Sequence, residues 1–337
     1  MVRIGIIGAG RIGKVHCESI GRYVKNAVVA CVADPFMNEG TEQTLRALGA
    51  EKVTKDYREI LADKSVDAVL ICSSTDTHAR ISVEAIKAGK HVFCEKPVDH
   101  DVKKILTVKE ALQGGGVKYQ VGFNRRFDHN FEAVKKAIDA GRIGHLDVLK
   151  ICSRDPAAPS ADYIKVSGGI FLDMTIHDFD MVRYLSSDEV ESVYAVGGVT
   201  VDKAIGEAGD IDTAVVTMKL KGGALAVIDN CRRAAYGYDQ RAEAFGSLGQ
   251  IAVANDASST AVISDANGVT AEKPLYFFLE RYMQAYVKEV SEFVRCIEED
   301  RPVPVGIEDG LQAVVIGLAA KRSLQTGAPV RLDDIVR

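Results

Sequence analysis

Three glycines near the N-terminus, Gly8, Gly10 and Gly13, have the spacing G-x-G-x-x-G. They follow an apolar run at residues 2–7 that predicts one buried strand, and they precede residues 11–23, which we predict to form a helix. Between a strand and a helix, this spacing is typical of a loop that holds the diphosphate of a dinucleotide against the N–H groups of the helix N-terminus. The sequence therefore predicts a dinucleotide cofactor at this turn.

A carboxylate lies where such a dinucleotide would place its adenosine ribose. Asp34 follows a second apolar run, residues 27–33, about 20 residues beyond the glycines. It can accept hydrogen bonds from both ribose hydroxyls and would repel a 2′-phosphate, and Pro35 leaves no adjacent arginine to hold that phosphate. These features predict NAD rather than NADP, although an aspartate at a strand end can also simply cap a turn.

Hydride transfer between NAD and an alcohol requires a base for the hydroxyl proton, and the chain offers three candidates. Lys96 follows a predicted strand at residues 91–94, where burial beside a positively charged ring would lower the pKa of its ammonium group. Asp173 and His177 stand four residues apart in residues 169–185, which we predict as one helix, so they would share one face. The alternatives are a surface lysine and a hydrogen-bonded Asp–His pair at a domain interface. No metal is expected, because no further histidine or cysteine cluster accompanies the pair.

Composition excludes several classes of protein. The chain has 337 residues, 47% of them hydrophobic, and a net charge of −5, which gives no basic footprint for nucleic acid. No apolar stretch predicts a membrane helix, and the first residues run directly into the first predicted strand, so no signal segment is expected. The seven cysteines form no C-x-x-C pair, which favours reduced thiols in a cytoplasmic enzyme.

The first part of the chain alternates predicted strands and helices. Further strands are predicted at residues 52–53, 67–72, 91–94 and 117–122, with helices at 38–48, 57–62, 77–88 and 102–113. This alternation predicts an α/β fold for residues 1–122, a Rossmann domain with a doubly wound parallel sheet. Ligands of such sheets bind beyond the carboxyl ends of the strands. Polar residues fall there: Ser73, Ser74, Thr75, His78, Glu95 and Lys96.

From residue 123 the pattern changes, and we predict a second, α+β domain at residues 123–337 for substrate binding and oligomerisation. Its strands are predicted at residues 145–154, 190–201, 213–220 and 224–232, followed by shorter ones, and its helices at 128–140, 169–185, 277–299 and 307–325. The expected sheet is open and largely antiparallel, with helices on one face. Its other face needs cover, for which a homo-oligomer is the simplest source.

Four motifs resemble, in order and spacing, those of the glucose-fructose oxidoreductase/inositol dehydrogenase/rhizopine-catabolism family. They are GAGRIG from Gly8, CSSTDTH from Cys72, EKP from Glu95 and GG-x₃-D-x₃-H-x₂-D from Gly168. Longer runs, GFNRRFD, RDPAAPS, YIKVSGGIF and DMTIHDFDM, resemble the bacterial inositol 2-dehydrogenases within that family. The resemblance implies NAD-dependent oxidation of a ring polyol, myo-inositol giving scyllo-inosose, by a homotetramer.

The resemblance also implies residue roles. His177 would be the general base at the reacting hydroxyl, Asp173 would orient it, and Lys96 would position the substrate and modulate that base. The implied cofactor contacts are Gly8, Gly10, Arg11, Ile12, Gly13, Asp34, Ser73, Ser74, Thr75, His78, Glu95 and Lys96. The implied substrate contacts are Lys96, Arg126, Asp155, Asp173, Thr175, His177, Tyr236 and Tyr282.

Two alternative functions stay open at this point. A dehydrogenase for scyllo-inositol or a pyranose sugar would differ only in which hydroxyl is axial, which depends on the shape of the pocket. A non-enzymatic NAD-binding regulator could use the same fold. The presence of Lys96, Asp173 and His177 argues against the regulator, which needs no base.

Replacing Asp34 by alanine should weaken NAD binding and narrow the preference over NADP, because the ribose loses its acceptor and the 2′-phosphate loses its repulsion. Hydrogen bonds to a charged group contribute about 1.5–3 kcal/mol, so we expect the Kd for NAD to rise about ten-fold or more. Titration with both cofactors measures it. An unchanged cofactor preference would remove Asp34 from the site.

Overall fold

The computed structural model of the protein describes residues 1–335, and its internal contacts divide the chain into two compact units. The first comprises Met1–Phe127 together with Met283–Val314, and the second comprises Asp128–Tyr282 together with the chain from Val315 onwards. The sequence placed a boundary between residues 122 and 123, close to the first of these divisions. It assigned residues 283–314 to the second domain, whereas the contacts group them with the first unit.

Strands occur throughout both units. In chain order they are β1 Val2–Ile7, β2 Ala27–Ala33, β3 Val53–Thr54, β4 Ala68–Ile71, β5 His91–Glu95, β6 Tyr119–Gly122, β7 Leu146–Arg154, β8 Val190–Gly198, β9 Thr213–Leu220, β10 Leu225–Cys231, β11 Asp239–Gly246, β12 Gly249–Val253, β13 Val262–Asp265, β14 Gly268–Ala271 and β15 Val330–Arg331.

The helices alternate with strands in the first half and are grouped in the second. In chain order they are α1 Arg11–Arg22, α2 Glu39–Ala47, α3 Tyr57–Ala62, α4 Thr75–Lys87, α5 Val102–Ala111, α6 His129–Asp139, α7 Ala161–Ser167, α8 Ile170–Asp173, α9 Ile176–Ser186, α10 Lys203–Glu207, α11 Phe278–Arg281, α12 Met283–Glu298 and α13 Ile307–Thr326. Among the described helices, none combines the length and apolar character that crossing a bilayer requires.

The first unit contains a six-stranded sheet in the order β3-β2-β1-β4-β5-β6. All of its strand pairs are parallel. Strands β4 and β2 are almost wholly buried, as expected for a sheet with helices on both faces. This topology confirms the predicted Rossmann fold, in which the chain order reverses between β1 and β4.

Helix α12 belongs to the first unit because its apolar face packs there. Val290, Phe293 and Val294 are buried in the same core cluster as residues of β1, β4 and β5. The rings of Phe93 and Phe293 lie edge to face with centroids 5.9 Å apart. Burial of this face stabilises the unit by roughly 2 kcal/mol for each fully buried large side chain.

The second unit contains a seven-stranded sheet in the order β12-β11-β7-β10-β9-β8-β15. The pairs are antiparallel except β10 with β7, which run parallel, so the predicted, largely antiparallel sheet is confirmed. Helices α6 and α9 pack on this sheet. Strand β9 alternates buried and exposed side chains, which is the pattern of a sheet covered on one face by its own chain.

The predicted single helix at residues 169–185 is wrong. It is interrupted after Asp173, and α9 begins only at Ile176. The N–H of Thr175 donates to the carbonyl of Ile170, five residues back, at 2.9 Å, which is the wide turn of a π-bulge. Asp173 and His177 therefore do not have the four-residue relation of a continuous helix.

Other elements also differ from their predictions. Residues 161–167 form α7, a helix that the sequence analysis did not predict, with Ser160 accepting a hydrogen bond from the Tyr163 N–H as its N-cap. The short helix α10 was not predicted. The helix predicted at residues 277–299 is divided at Tyr282 into α11 and α12.

Candidate cofactor and substrate sites

In the turn between β1 and α1, two glycines lie so close to neighbouring backbone atoms that a Cβ would overlap them. Gly8 has φ +107°, and a Cβ there would lie 2.6 Å from the carbonyl of Cys72. A Cβ at Gly13 would lie 1.9 Å from the carbonyl oxygen of Gly8. Because backbone atoms cannot swing aside as a side chain can, a larger residue at either position would displace the turn and destabilise it.

Gly10, by contrast, borders open space. It precedes the first residue of α1, and a Cβ added there meets nothing within 4 Å. Gly10 provides no side-chain cap to α1, and a helix N-terminus of this kind is a typical anion-binding position. A closed turn around an open N-terminus fits the diphosphate of NAD.

Asp34 is fixed beside this turn. Its Oδ2 accepts a hydrogen bond from the Ala9 N–H at 2.7 Å, and its Oδ1 accepts one from the Phe36 N–H at 2.8 Å. A carboxylate has about four lone-pair sites, so two ribose hydroxyls can still bind to it. The structure thus places the predicted ribose acceptor at the glycine turn.

The turn after β4 carries the next predicted cofactor residues. The hydroxyls of Ser73 and Thr77 lie 2.6 Å apart, and Thr77 also donates to the Ser74 carbonyl. Ser74 is exposed and Thr75 is half-buried at the start of α4. These side chains border the carboxyl edge of the sheet, where a dinucleotide is expected.

His78 is fully buried and joins two loops. Its Nδ1 lies 2.8 Å from the Pro97 carbonyl oxygen and its Nε2 lies 2.9 Å from the Ser73 carbonyl oxygen. A neutral imidazole has one N–H, so both contacts are hydrogen bonds only when the ring is protonated. Burial lowers the pKa of His78, but contacts with Cys94 and with the two carbonyls outweigh it and raise the pKa to about 9. Its ring nitrogens are therefore engaged within the protein.

The Glu95–Lys96–Pro97 turn follows β5. The Lys96–Pro97 peptide bond is cis, and Lys96 is half-buried. Glu95 is 9% exposed, and its Oε1 lies 2.7 Å from Nε2 of His16 on α1.

Arg126, on a 3₁₀ turn at Asn124–Phe127, donates from Nη2 to the Asp309 carboxylate at 2.9 Å. The structure thus ties Glu95 and Arg126 to partners in the first unit.

In the second unit, Asp173 lies at the end of α8 and is held by two residues that the sequence did not single out. Tyr163 donates its hydroxyl to Oδ1 of Asp173 at 2.8 Å, and Arg232 donates from Nη2 to Oδ2 at 3.2 Å. Nη1 of Arg232 also lies 3.7 Å from Oδ2 of Asp155. One buried guanidinium therefore brings the two predicted substrate carboxylates together.

Arg232 could not be chosen from the sequence. It is one of two adjacent arginines after β10, and nothing local distinguishes it from Arg233. In the structure Arg232 is 2% exposed and Arg233 is exposed. A buried guanidinium must be paired, which Asp173 and Asp155 accomplish.

Thr175 does not lie in an accessible position. It is fully buried and donates its hydroxyl to Oδ1 of Asn230 at 2.6 Å. Asn230 in turn donates to Asp178, which accepts from Ser153 at 2.5 Å. This network holds the chain at the interruption between α8 and α9. Because the Thr175 hydroxyl donates its only proton to Asn230, it has none to donate to a ligand.

The two predicted tyrosines differ in exposure. Tyr236 is 41% exposed and donates to Oδ2 of Asp239 at 2.5 Å. Tyr282 is 1% exposed, and its ring packs edge to face against Tyr238 with centroids 5.9 Å apart. Tyr236 therefore has surface to offer a ligand, whereas Tyr282 supports the interior of the unit.

Comparison with known proteins identifies both halves of the chain. An oxidoreductase family with an NAD-binding Rossmann fold matches residues 2–123, and the GFO/IDH/MocA C-terminal domain matches residues 131–252. Myo-inositol 2-dehydrogenase of Thermotoga maritima is 48% identical over 335 residues, which cover 99% of this chain and 100% of that protein.

Two further relatives are similar over nearly the whole chain. Inositol 2-dehydrogenase of Rhizobium meliloti is 47% identical over 324 residues, covering 96% of this chain and 97% of that protein. The crystal structure of scyllo-inositol dehydrogenase from Lactobacillus casei with bound NAD(H) and scyllo-inositol has a TM-score of 0.92 at 30% identity, covering 99% of both chains. These matches confirm the resemblance, the fold and the NAD cofactor inferred from the sequence motifs.

Two alanine substitutions in the glycine turn should affect different properties, the first the affinity for NADH and the second the stability of the fold. Gly10→Ala adds a methyl group in open space at an ordinary φ of −67°, so stability should change by less than about 0.5 kcal/mol while the Kd for NADH rises about ten-fold or more. Gly13→Ala should lower the free energy of unfolding by roughly 1–3 kcal/mol through overpacking. Thermal unfolding and NADH fluorescence titration measure both; normal NADH binding by Gly10→Ala would show that the diphosphate does not approach Gly10.

Proposed function

Because the chain belongs to the GFO/IDH/MocA family of oxidoreductases, we propose that it oxidises a ring polyol with NAD, with myo-inositol giving scyllo-inosose as the leading reaction. The observation that carries this proposal is the identity of 47–48% to two inositol 2-dehydrogenases over nearly the whole chain. Bound NAD would supply the carbon that accepts the hydride. The remaining work, binding and orienting the polyol and removing its proton, falls to side chains.

We propose that His177 removes the proton of the reacting hydroxyl. Histidine changes its charge near neutral pH, so it suits a base that must take a proton and later release it. The hydroxyl loses its proton to His177 as its carbon loses a hydride, so that the ring carbon becomes a ketone. Lys96 would position this hydroxyl and favour its oxyanion through its positive charge.

Asp173 is proposed to orient His177 and to accept a substrate hydroxyl. Its two oxygens are already held by Tyr163 and Arg232, so its direction is set by the fold. Asp155 shares Arg232 and would accept a second hydroxyl. A polyol needs such a set of acceptors, and Tyr236 and Arg126 complete the proposed contacts. Thr175 and Tyr282, both buried, are proposed to pack behind these contact residues and to keep them in position.

The remaining proposed cofactor contacts are Gly8, Gly10, Arg11, Ile12, Gly13, Asp34, Ser73, Ser74, Thr75, His78, Glu95 and Lys96. The glycine turn and Asp34 support them most directly, through the geometry described above. The internal hydrogen bonds of His78 and Glu95 also support a role for these two residues in fixing the loops that border the proposed cofactor site.

We also propose that the protein is a homotetramer in the cytoplasm. The outer face of the second sheet exposes apolar side chains on β8, β9, β10 and β11, namely Tyr194, Val196, Val215, Leu225 and Phe245. Val196 pairs directly with Val215. Leu225 and Phe245 both pair with Val148 of β7. Several large apolar side chains exposed on one sheet face are typical of a subunit interface. All seven cysteines are free thiols, which fits a reducing compartment.

A substrate panel tests the function. Purified protein with NAD and with NADP is offered myo-inositol, scyllo-inositol, other inositol isomers and hexoses at mildly alkaline pH, and the nicotinamide absorbance is followed. We expect reduction of NAD with myo-inositol as the preferred substrate. Preference for scyllo-inositol or a hexose would reassign the substrate within the family, and no activity on any polyol would contradict the proposed function.

Replacing His177 by alanine should lower kcat by about 100-fold or more, the contribution typical of a general base. NADH binding should be little changed. His145→Ala is the matched control, because that histidine is exposed at the surface beside Asp147. Near-normal turnover of His177→Ala would show that another group takes the proton.

A further inference from the structure

Three ionisable side chains meet in the interior of the first unit, and the proposed reaction gives no role to two of them. His16 comes from α1, Glu95 from the end of β5 and Glu289 from α12. Their ligand atoms all lie within 4.8 Å of one another. His16 and Glu289 are fully buried, and Glu95 is 9% exposed.

Two of the three form a hydrogen-bonded pair. Nε2 of His16 lies 2.7 Å from Oε1 of Glu95, and a carboxylate only accepts, so the imidazole donates. The rings of Phe93 and Tyr286 pack edge to face against the imidazole of His16, with centroids 5.2 and 5.8 Å from its own. The other oxygen of Glu95 accepts the backbone N–H of Lys96 at 3.3 Å. Glu95 thus links the interior of the unit to the backbone of Lys96.

The third member, Glu289, is different. Both of its carboxyl oxygens are buried and form no hydrogen bond with any described residue. An ionised carboxylate without a partner is extremely costly in such surroundings, and the usual outcome is that the group takes up a proton. Burial and, secondarily, the charge of Glu95 raise the pKa of Glu289 well above its ordinary value.

The groups that face Glu289 do not neutralise it as an anion. From α1 there is His16, which is already paired with Glu95. From β6, Gln120 donates its amide to the backbone carbonyl of Glu289 at 3.0 Å and not to the carboxyl. From the end of β4, the Cys72 thiol stays neutral, because burial, Glu95, Cys94 and Glu289 raise its pKa.

We propose that Glu289 stays protonated in the folded protein and is a positioning residue for the Glu95–Lys96 turn. With Glu289 neutral, Glu95 meets no like charge in the cluster and can hold both His16 and the Lys96 N–H. With Glu289 ionised, two like charges within 4.8 Å would push Glu95 away from these partners. The role assigned to the turn rests on the proposed function, in which Lys96 positions the substrate.

Thermal unfolding across pH tests the protonation without any substrate. A raised folded-state pKa means that the stabilisation is fully present below the ordinary glutamate pKa, about 4.3, and is lost as the pH rises toward the folded-state value. Glutamine does not titrate. The Tm of Glu289→Gln relative to wild type should therefore rise by several degrees between about pH 5 and pH 9. Glu110→Gln, on the exposed face of α5, is the control and should show no such trend.

Two outcomes would overturn the protonation. One is a Tm difference between Glu289→Gln and wild type that does not change with pH. The other is a divalent cation retained by purified wild type and lost from Glu289→Gln, since both carboxyls would then be ionised metal ligands. If wild type oxidised no polyol, the proposed function would fail, while the unfolding experiment would still decide the state of Glu289.

Kinetics test the positioning role. Glu289→Gln keeps a neutral polar group and should retain kcat within about two-fold, whereas Glu289→Leu should lower kcat about ten-fold or more, because small displacements of a positioning group are costly. The Kd for NADH should be nearly the same in both, since the glycine turn is unchanged. A kcat that is unchanged in both variants, or lowered by the same factor in both, would contradict the positioning role.

Discussion

The close approach of two backbone turns at the carboxyl edge of the first sheet is the constraint on which the cofactor site depends. The turns after β1 and β4 come so near that a Cβ at Gly8 would overlap the Cys72 carbonyl. The same turn is closed from its other side by Gly13. Asp34, the proposed ribose acceptor, then accepts a hydrogen bond from the Ala9 N–H, so the turn fixes its position. A site whose parts are fixed before the cofactor binds loses less entropy on binding.

In the second unit, side chains are also fixed before any ligand binds, but here by ion pairs. Arg232 is buried and must be paired, so it holds Asp173 and Asp155 in fixed directions. A carboxylate that is oriented by a buried cation and by Tyr163 does not depend on the substrate for its orientation. As the proposed substrate acceptors, carboxylates held in this way would discriminate between hydroxyl arrangements on a ring, because a misplaced hydroxyl leaves a polar group unsatisfied.

The sequence predicted most of the architecture, since periodicity and glycine placement are local signals. Strand β9 was predicted with its observed bounds, and the Rossmann fold followed from the alternation of strands and helices. The interruption between α8 and α9 was missed because it depends on Asn230, which lies 55 residues from Thr175. Arg232 was missed for the same reason: its burial is decided by partners far away in the chain. Local patterns carry no information about such pairs.

Helix α12, which groups with the first unit, shows that some long-range features can be detected in the local sequence pattern. Its buried face includes Val290, Phe293 and Val294, and Glu289 lies on that same face. An apolar helical stripe is ordinarily interrupted by a carboxyl only where a partner or a proton removes the charge, since burial penalises the ionised form far more than the neutral one. A glutamate within such a stripe therefore predicts either a partner for its carboxylate or a carboxyl that keeps its proton. The sequence cannot say which, because His16 and Glu95 are brought there by the fold of the sheet, and that is the part of the site that only the structure supplies.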